Sequence, residues 1–118
     1  KQGEKPVRPI AQQLMTGLAY LHARHIVHRD LKPENVLVQK NTNKPEDITV
    51  VLADFGLSSF EWDAPAMSMY CGTPGFVAPE VALRSTYSTN CDVFSVGCLL
   101  YAVFFGSSPF ARTDAKEV

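Results

Sequence analysis

Residues 28–35 read His-Arg-Asp-Leu-Lys-Pro-Glu-Asn and follow directly on the apolar pair Ile26-Val27. The octet crowds two acids (Asp30, Glu34), two fixed cations (Arg29, Lys32), a histidine and an amide (Asn35) into eight positions. Such types can accept a proton, neutralise an anion and orient a polar substrate. An ordinary Asp, with a pKa near ~4, is a poor base at pH 7. Each residue also has a plain reading: Asp30 as a turn former, Lys32 as a solvated charge, Asn35 as a strand-edge cap. A third acid opens Asp54-Phe55-Gly56, directly after the apolar run 48–53, and Ala78-Pro79-Glu80 comes further on. His22, His25 and His28 recur every third residue, a spacing open to metal ligation. The first two fall where a helix should end, however, and partial positive charge is favoured there.

These residues need elements to position them. Pro9 suits a first helical turn. Ile10, Leu14, Leu18 and Leu21 then recur at helical spacing and predict an amphipathic helix to about Arg24. Ile26-Val27 and Val36-Leu37-Val38 are short apolar runs on either side of the octet, which is therefore expected to be a loop between short strands. Residues 41–47 read as a polar turn, and the β-branched stretch 48–53 as a strand. Residues 56–79 hold Gly72, Pro74, Gly75 and Pro79 with little periodicity, which predicts a long irregular loop of functional length. Tyr87 to Asn90 offer capping chemistry for a helix over 93–105, apolar on most faces and so expected to be buried. Gly106 and Pro109 should end it. The fold class is α+β, mainly helical, with short strands around the octet.

The chain has 118 residues, enough for one compact domain or part of a larger one. Its net charge of -1 shows no basic surplus, which argues against nucleic-acid binding and a polybasic membrane patch. The three cysteines, Cys71, Cys91 and Cys98, form no Cys-x-x-Cys pair and read as reduced thiols of an intracellular, cytoplasmic protein. Residues 1–8 are polar rather than signal-like. The stretch 93–105 falls short of the roughly 20 residues that span a bilayer.

The octet fits His-Arg-Asp-Leu-x-x-x-Asn. At ~5–10% per residue type, the five fixed positions would arise by chance about once in 10⁴ such chains. With Asp-Phe-Gly and Ala-Pro-Glu following in order, the sequence resembles the eukaryotic protein kinases over nearly its whole length. The resemblance implies the large (C-terminal) lobe of that fold, and it implies ATP and Mg²⁺ as cofactors. Asp30 would then accept the proton of the attacking hydroxyl and aim its oxygen. Lys32 would meet the transferring phosphate. Asn35 and Asp54 would hold magnesium, which takes a few hard oxygen ligands besides phosphate oxygens. Leu37 matches a residue beneath the adenine. His28 and Phe55 would pack under the site, and Asp92 would accept hydrogen bonds from the loop backbone.

Lys32-Pro33 resembles the serine/threonine rather than the tyrosine kinases. Thr73, in Cys-Gly-Thr-Pro, matches the threonine that bonds the catalytic Asp and Lys and shapes the acceptor slot. Glu34 would face a basic residue of a protein substrate or else be a solvated surface acid. Residues 54–58 and 71–81 look most like the calcium/calmodulin-dependent group, which would put any calmodulin-type control outside this segment. Arg29 would bind a phosphate on the activation loop. The usual acceptor position is Met69 here, which leaves Ser68 as the expected regulatory site, Tyr70 or no phosphorylation being the rivals. The glycine-rich phosphate loop, the strand lysine with its glutamate partner and the hinge have no counterpart in 1–118. The expectation is therefore the middle of a kinase domain, with the small lobe and final large-lobe helices absent, the isolated piece inactive and Glu80 deprived of its arginine. A kinase-like non-catalytic scaffold or interaction fragment is the rival reading. Degenerate scaffolds often lose Asp30, Asn35 or Asp54, and all three are intact.

Overall fold

The computed structural model describes residues 7–83 and 85–110. Helix α1 runs Val7–Ala23 and buries Ile10, Leu14, Leu18 and Leu21 along one stripe, as their spacing requires. Full burial of one such side chain contributes about 1.5–3 kcal/mol. The helix closes at His25, whose φ of 64° turns the chain into β1, Ile26–Val27. A 3₁₀ turn at Pro33–Asn35 ends the octet and leads into β2, Val36–Lys40. Strand β3, Ile48–Leu52, pairs antiparallel with β2 from Val36↔Leu52 to Lys40↔Ile48. The turn between them closes by Asn41 N–H on the Asp47 carbonyl at 2.9 Å.

The chain then returns as β4, Ser59–Phe60, antiparallel to β1, with Ile26↔Phe60 and Val27↔Ser59. After a 3₁₀ turn at Ala66–Ser68 come the four-residue α2, Pro79–Ala82, and the long α3, Asn90–Phe105. No helix among the described residues is long and apolar enough to cross a membrane.

Two clusters make the interior. The first joins Ile10, Leu14 and Leu18 of α1 to Leu31, Ile48, Val96 and Leu99. The second gathers Val27, Met67, Ala78, Val81, Tyr87 and Cys91. One polar clamp supplements the first. The Gln13 carboxamide donates to the Ile48 carbonyl and accepts from the Val50 N–H, both at 2.8 Å, and so serves the free edge of β3 as a third strand would.

Three expectations need correction. The stretch 56–79 is not wholly irregular, because β4 and the Ala66–Ser68 turn lie within it. A two-residue strand has no period to read, and its pairing with β1 is long-range. Helix α3 starts at Asn90 rather than Val93, and its N-cap Thr89 makes no side-chain capping bond. Nor is α3 buried on most faces: Val93, Tyr101, Phe104 and Phe105 are exposed. Its buried residues (Cys91, Asp92, Ser95, Val96, Cys98, Leu99, Ala102) follow helical spacing on the other side. Gly106 ends α3 as expected, with φ of 97° and its N–H on the Ala102 carbonyl at 2.7 Å. Residues 1–6 and 111–118, to which the expected 1–118 boundaries extend, lie outside the described residues.

Candidate active site

The octet is a loop pinned from below. Asp92, fully buried at the start of α3, accepts the backbone N–H of His28 at 2.8 Å and of Arg29 at 2.9 Å. His22 Nε2 reaches the same carboxylate at 3.0 Å. Three donors thus surround an acid that would be costly to bury unpaired. Leu31, also without exposed surface, plugs the loop into the first cluster. The expected Asp92 contact is present. His22 is an additional member, and its place is on this carboxylate rather than on a metal. Among the described residues no group of three or more His, Cys, Asp or Glu side chains could hold a metal ion.

His28 locks the loop to the chain around Asp54. Its Nδ1 accepts the Asp30 N–H at 3.1 Å, and its Nε2 meets the Ala53 carbonyl at 3.0 Å. Only the tautomer with hydrogen on Nε2 satisfies both bonds. The Phe55 ring lies 4.9 Å from the imidazole centroid, as expected of the two packing residues. The Ala53 N–H also donates to the Asn35 carbonyl at 2.8 Å. Asp54 therefore sits between two residues that both touch His28, beside the loop that carries Asp30. Its φ is 56°, and that of Arg29 is 74°. Left-handed backbone at a non-glycine residue costs about 1–3 kcal/mol and persists only where the surroundings impose it.

Above this base, Asp30, Lys32 and Thr73 form a triangle. Thr73 Oγ1 donates to Asp30 Oδ1 at 2.9 Å and accepts from Lys32 Nζ at 2.9 Å. Lys32 Nζ is 3.9 Å from Asp30 Oδ2. One hydroxyl, with one donor and its lone pairs, serves an acid and a cation together. Asn35 Nδ2 donates to the Asp30 carbonyl at 2.8 Å and approaches Asp30 Oδ2 at 3.4 Å. That fixes the amide and leaves Oδ1 as its open, oxygen-donor end. Asp54 is exposed and spends Oδ1 on the Gly56 N–H at 3.3 Å, which leaves its other oxygen open. A carboxylate and an amide oxygen are a donor set that suits Mg²⁺ beside phosphate oxygens. Gly72 lets Thr73 come so close. Its φ is 106°, and a Cβ there would stand 3.1 Å from the Arg29 carbonyl.

The other predicted residues lie further out. Glu34 is exposed in the 3₁₀ turn, and Leu37 is exposed on β2 opposite Val51. Ser68 is exposed and donates to the Ala64 carbonyl at 3.2 Å. Arg29 donates from Nε to the Leu57 carbonyl at 2.7 Å and from Nη1 to the Ala66 carbonyl at 2.6 Å and the Tyr87 hydroxyl at 2.9 Å. Burial pushes the Tyr87 phenol up to about 12, so it stays protonated at neutral pH. Burial also raises the Cys91 thiol, with the Asp92 charge adding to the effect. Sequence reasoning gave Gln13 no role and named Tyr87 only within a helix-capping stretch. The available signal was that a tyrosine in a core needs a partner for its hydroxyl. Glu80 makes no ion pair with a described residue.

The family model described as protein kinase domain matches residues 2–118. A probable myosin light chain kinase of Dictyostelium discoideum is 43% identical over 98% of this chain and 37% of its own length. A probable serine/threonine-protein kinase 2 of Plasmodium falciparum is 38% identical over 98% of this chain and 22% of its own. A calcium/calmodulin-dependent protein kinase type 1 of Macrobrachium nipponense is 41% identical over 91% of this chain and 30% of its own. The chain thus spans well under half the length of these relatives.

Proposed function

The chain belongs to the protein kinase family, and from that premise we propose that the protein transfers the γ-phosphate of ATP to serine or threonine hydroxyls of protein substrates. The triangle of Asp30, Lys32 and Thr73 carries this reading. Its 2.9 Å bonds hold an acid and an ammonium at fixed separation around one hydroxyl.

Asp30 aims the acceptor hydroxyl and takes its proton. In a loose phosphoryl transfer the proton moves late, so orientation outweighs basicity. Lys32 neutralises charge on the transferred group. Thr73 fixes both and shapes the slot for a serine or threonine. Asn35 Oδ1 and the open oxygen of Asp54 are the protein's ligands for Mg²⁺. When bound, that ion neutralises and aligns the phosphates. Leu37 lies under the adenine, and its exposure on β2 leaves it open to a ligand. Glu34, exposed beside the loop, faces a basic residue of the substrate. Arg29 and Ser68 belong to control of the activation segment, and calmodulin-type regulation, if used, acts outside residues 1–118. The protein works inside the cell, in the cytoplasm, where ATP and Mg²⁺ are supplied.

The test is Asp30→Asn in the full-length protein, assayed for phosphate transfer from ATP–Mg²⁺ to a Ser/Thr peptide. Loss of a proton-accepting group of this kind costs about 10²–10⁴ in kcat. Undiminished transfer by the variant would discard the reading.

A further inference from the structure

Arg29 is expected to hold a phosphate, and one side of its guanidinium is already bound to the protein. Nε and Nη1 spend their hydrogens on the Leu57 and Ala66 carbonyls and the Tyr87 hydroxyl, at 2.6–2.9 Å. The main chain of the same residue is held by Asp92. Arg29 is thus held at both its main chain and its side chain.

Tyr87 stands at the centre of that arrangement. It is 6% exposed. Its hydroxyl accepts from Arg29 Nη1, and its one hydrogen goes to the Met69 carbonyl at 2.7 Å, the Ala66 carbonyl at 3.1 Å being the alternative. Cys71 Sγ lies 3.7 Å from the same oxygen. The Tyr87 main-chain N–H reaches the Met67 carbonyl at 3.0 Å. The Tyr87 hydroxyl therefore gathers residues 66, 69 and 71 beside Arg29, its main-chain N–H holds residue 67, and Thr73 follows two residues after Cys71. A Thr73 bonded to Asp30 and Lys32 needs its leading segment held, and Tyr87 holds it.

We propose that Tyr87 is a positioning residue, whose hydroxyl latches residues 66–71 to Arg29 and so helps to set Thr73 against Asp30 and Lys32. The proposal rests on the kinase reading above and concerns the control of that same site.

The experiment compares full-length wild type, Tyr87→Phe, Ser68→Ala, Arg29→Lys and the Tyr87→Phe/Arg29→Lys double variant. Each is assayed with ATP–Mg²⁺ and a Ser/Thr peptide, and each is digested with a protease cutting within 57–70. Phenylalanine removes only the hydroxyl. The latch predicts that Tyr87→Phe lowers kcat about 10-fold, the size of one hydrogen bond to a charged group. KM for ATP should change less than about 2-fold, because Tyr87 does not reach the nucleotide ligands. Segment cleavage should accelerate about 10-fold by the same measure. In the Arg29→Lys background the added Tyr87→Phe effect should shrink below about 2-fold, since coupled residues are not additive. Ser68→Ala should stay within about 3-fold of wild type, as a group outside the latch. A Tyr87→Phe protein with wild-type kcat and cleavage overturns the latch, as does a Ser68→Ala protein that is inactive and equally cleavable. If wild type itself transferred no phosphate, the kinase reading would fall, and the cleavage ratio between wild type and Tyr87→Phe would judge the latch by itself.

Discussion

The 28–35 loop and the 57–70 segment meet at Arg29 but are held by different means. The loop rests on groups with no exposed surface: Val27 before it, His28 and Leu31 within it, Asp92 beneath it. In 57–70 only Met67 is buried, and Phe60, Trp62 and Met69 stand open. Polar bonds onto Arg29 and Tyr87 do what packing does for the loop. A buried footing fixes geometry, whereas a few polar pins can be released at modest cost, about 0.5–1.5 kcal/mol each. Asp30 lies on the first kind of support and Ser68 on the second.

The contrast can be broken where it is strongest. Asp92→Ala would strand two buried N–H groups and His22. It should lower the stability of the full-length protein by about 3–5 kcal/mol, read from the urea midpoint. A loss below about 1 kcal/mol would mean that the loop does not depend on its footing. Gly72→Ala probes the seam between the two regions. A φ of 106° and a Cβ 3.0 Å from Val77 Cγ2 oppose any side chain. The expected cost is about 1–3 kcal/mol in thermal unfolding, with peptide phosphorylation falling alongside as Thr73 is displaced. The mildest change sharpens the comparison from outside the site. Gln13→Ala should cost about 1 kcal/mol and speed hydrogen exchange at the Val50 amide, leaving that of His28 unchanged. Equal acceleration at both amides would show that the β3 edge and the loop share one support.

The residues expected to do chemistry were legible because their types and spacing are local. Asp30, Lys32 and Asn35 fall within six positions, and Asp54 lies two residues past the end of β3, a strand with a clear pattern. The α1 stripe and the β2–β3 hairpin were legible for the same reason, each carrying its own period. What escaped was long-range. His22 meets Asp92 across 70 positions, Gln13 meets Ile48 across 35, and Arg29 meets Tyr87 across 58. No period marks such pairs, and each side chain alone has an ordinary surface reading. The open side of α3 escaped for a related reason, because apolar residues all round a helix do not say which of them find a neighbour.

The single tautomer of His28 has a mechanical meaning. The imidazole works as a crank, with one nitrogen on the Ala53 carbonyl, the other under the Asp30 amide and the Phe55 ring against its face. Rotation of the imidazole would break both bonds at once, removing the acceptor beneath Asp30 and the donor to the residue before Asp54. The main chain at Asp30 and the main chain just before Asp54 thus share one imidazole, and a shift of either strains a bond to it.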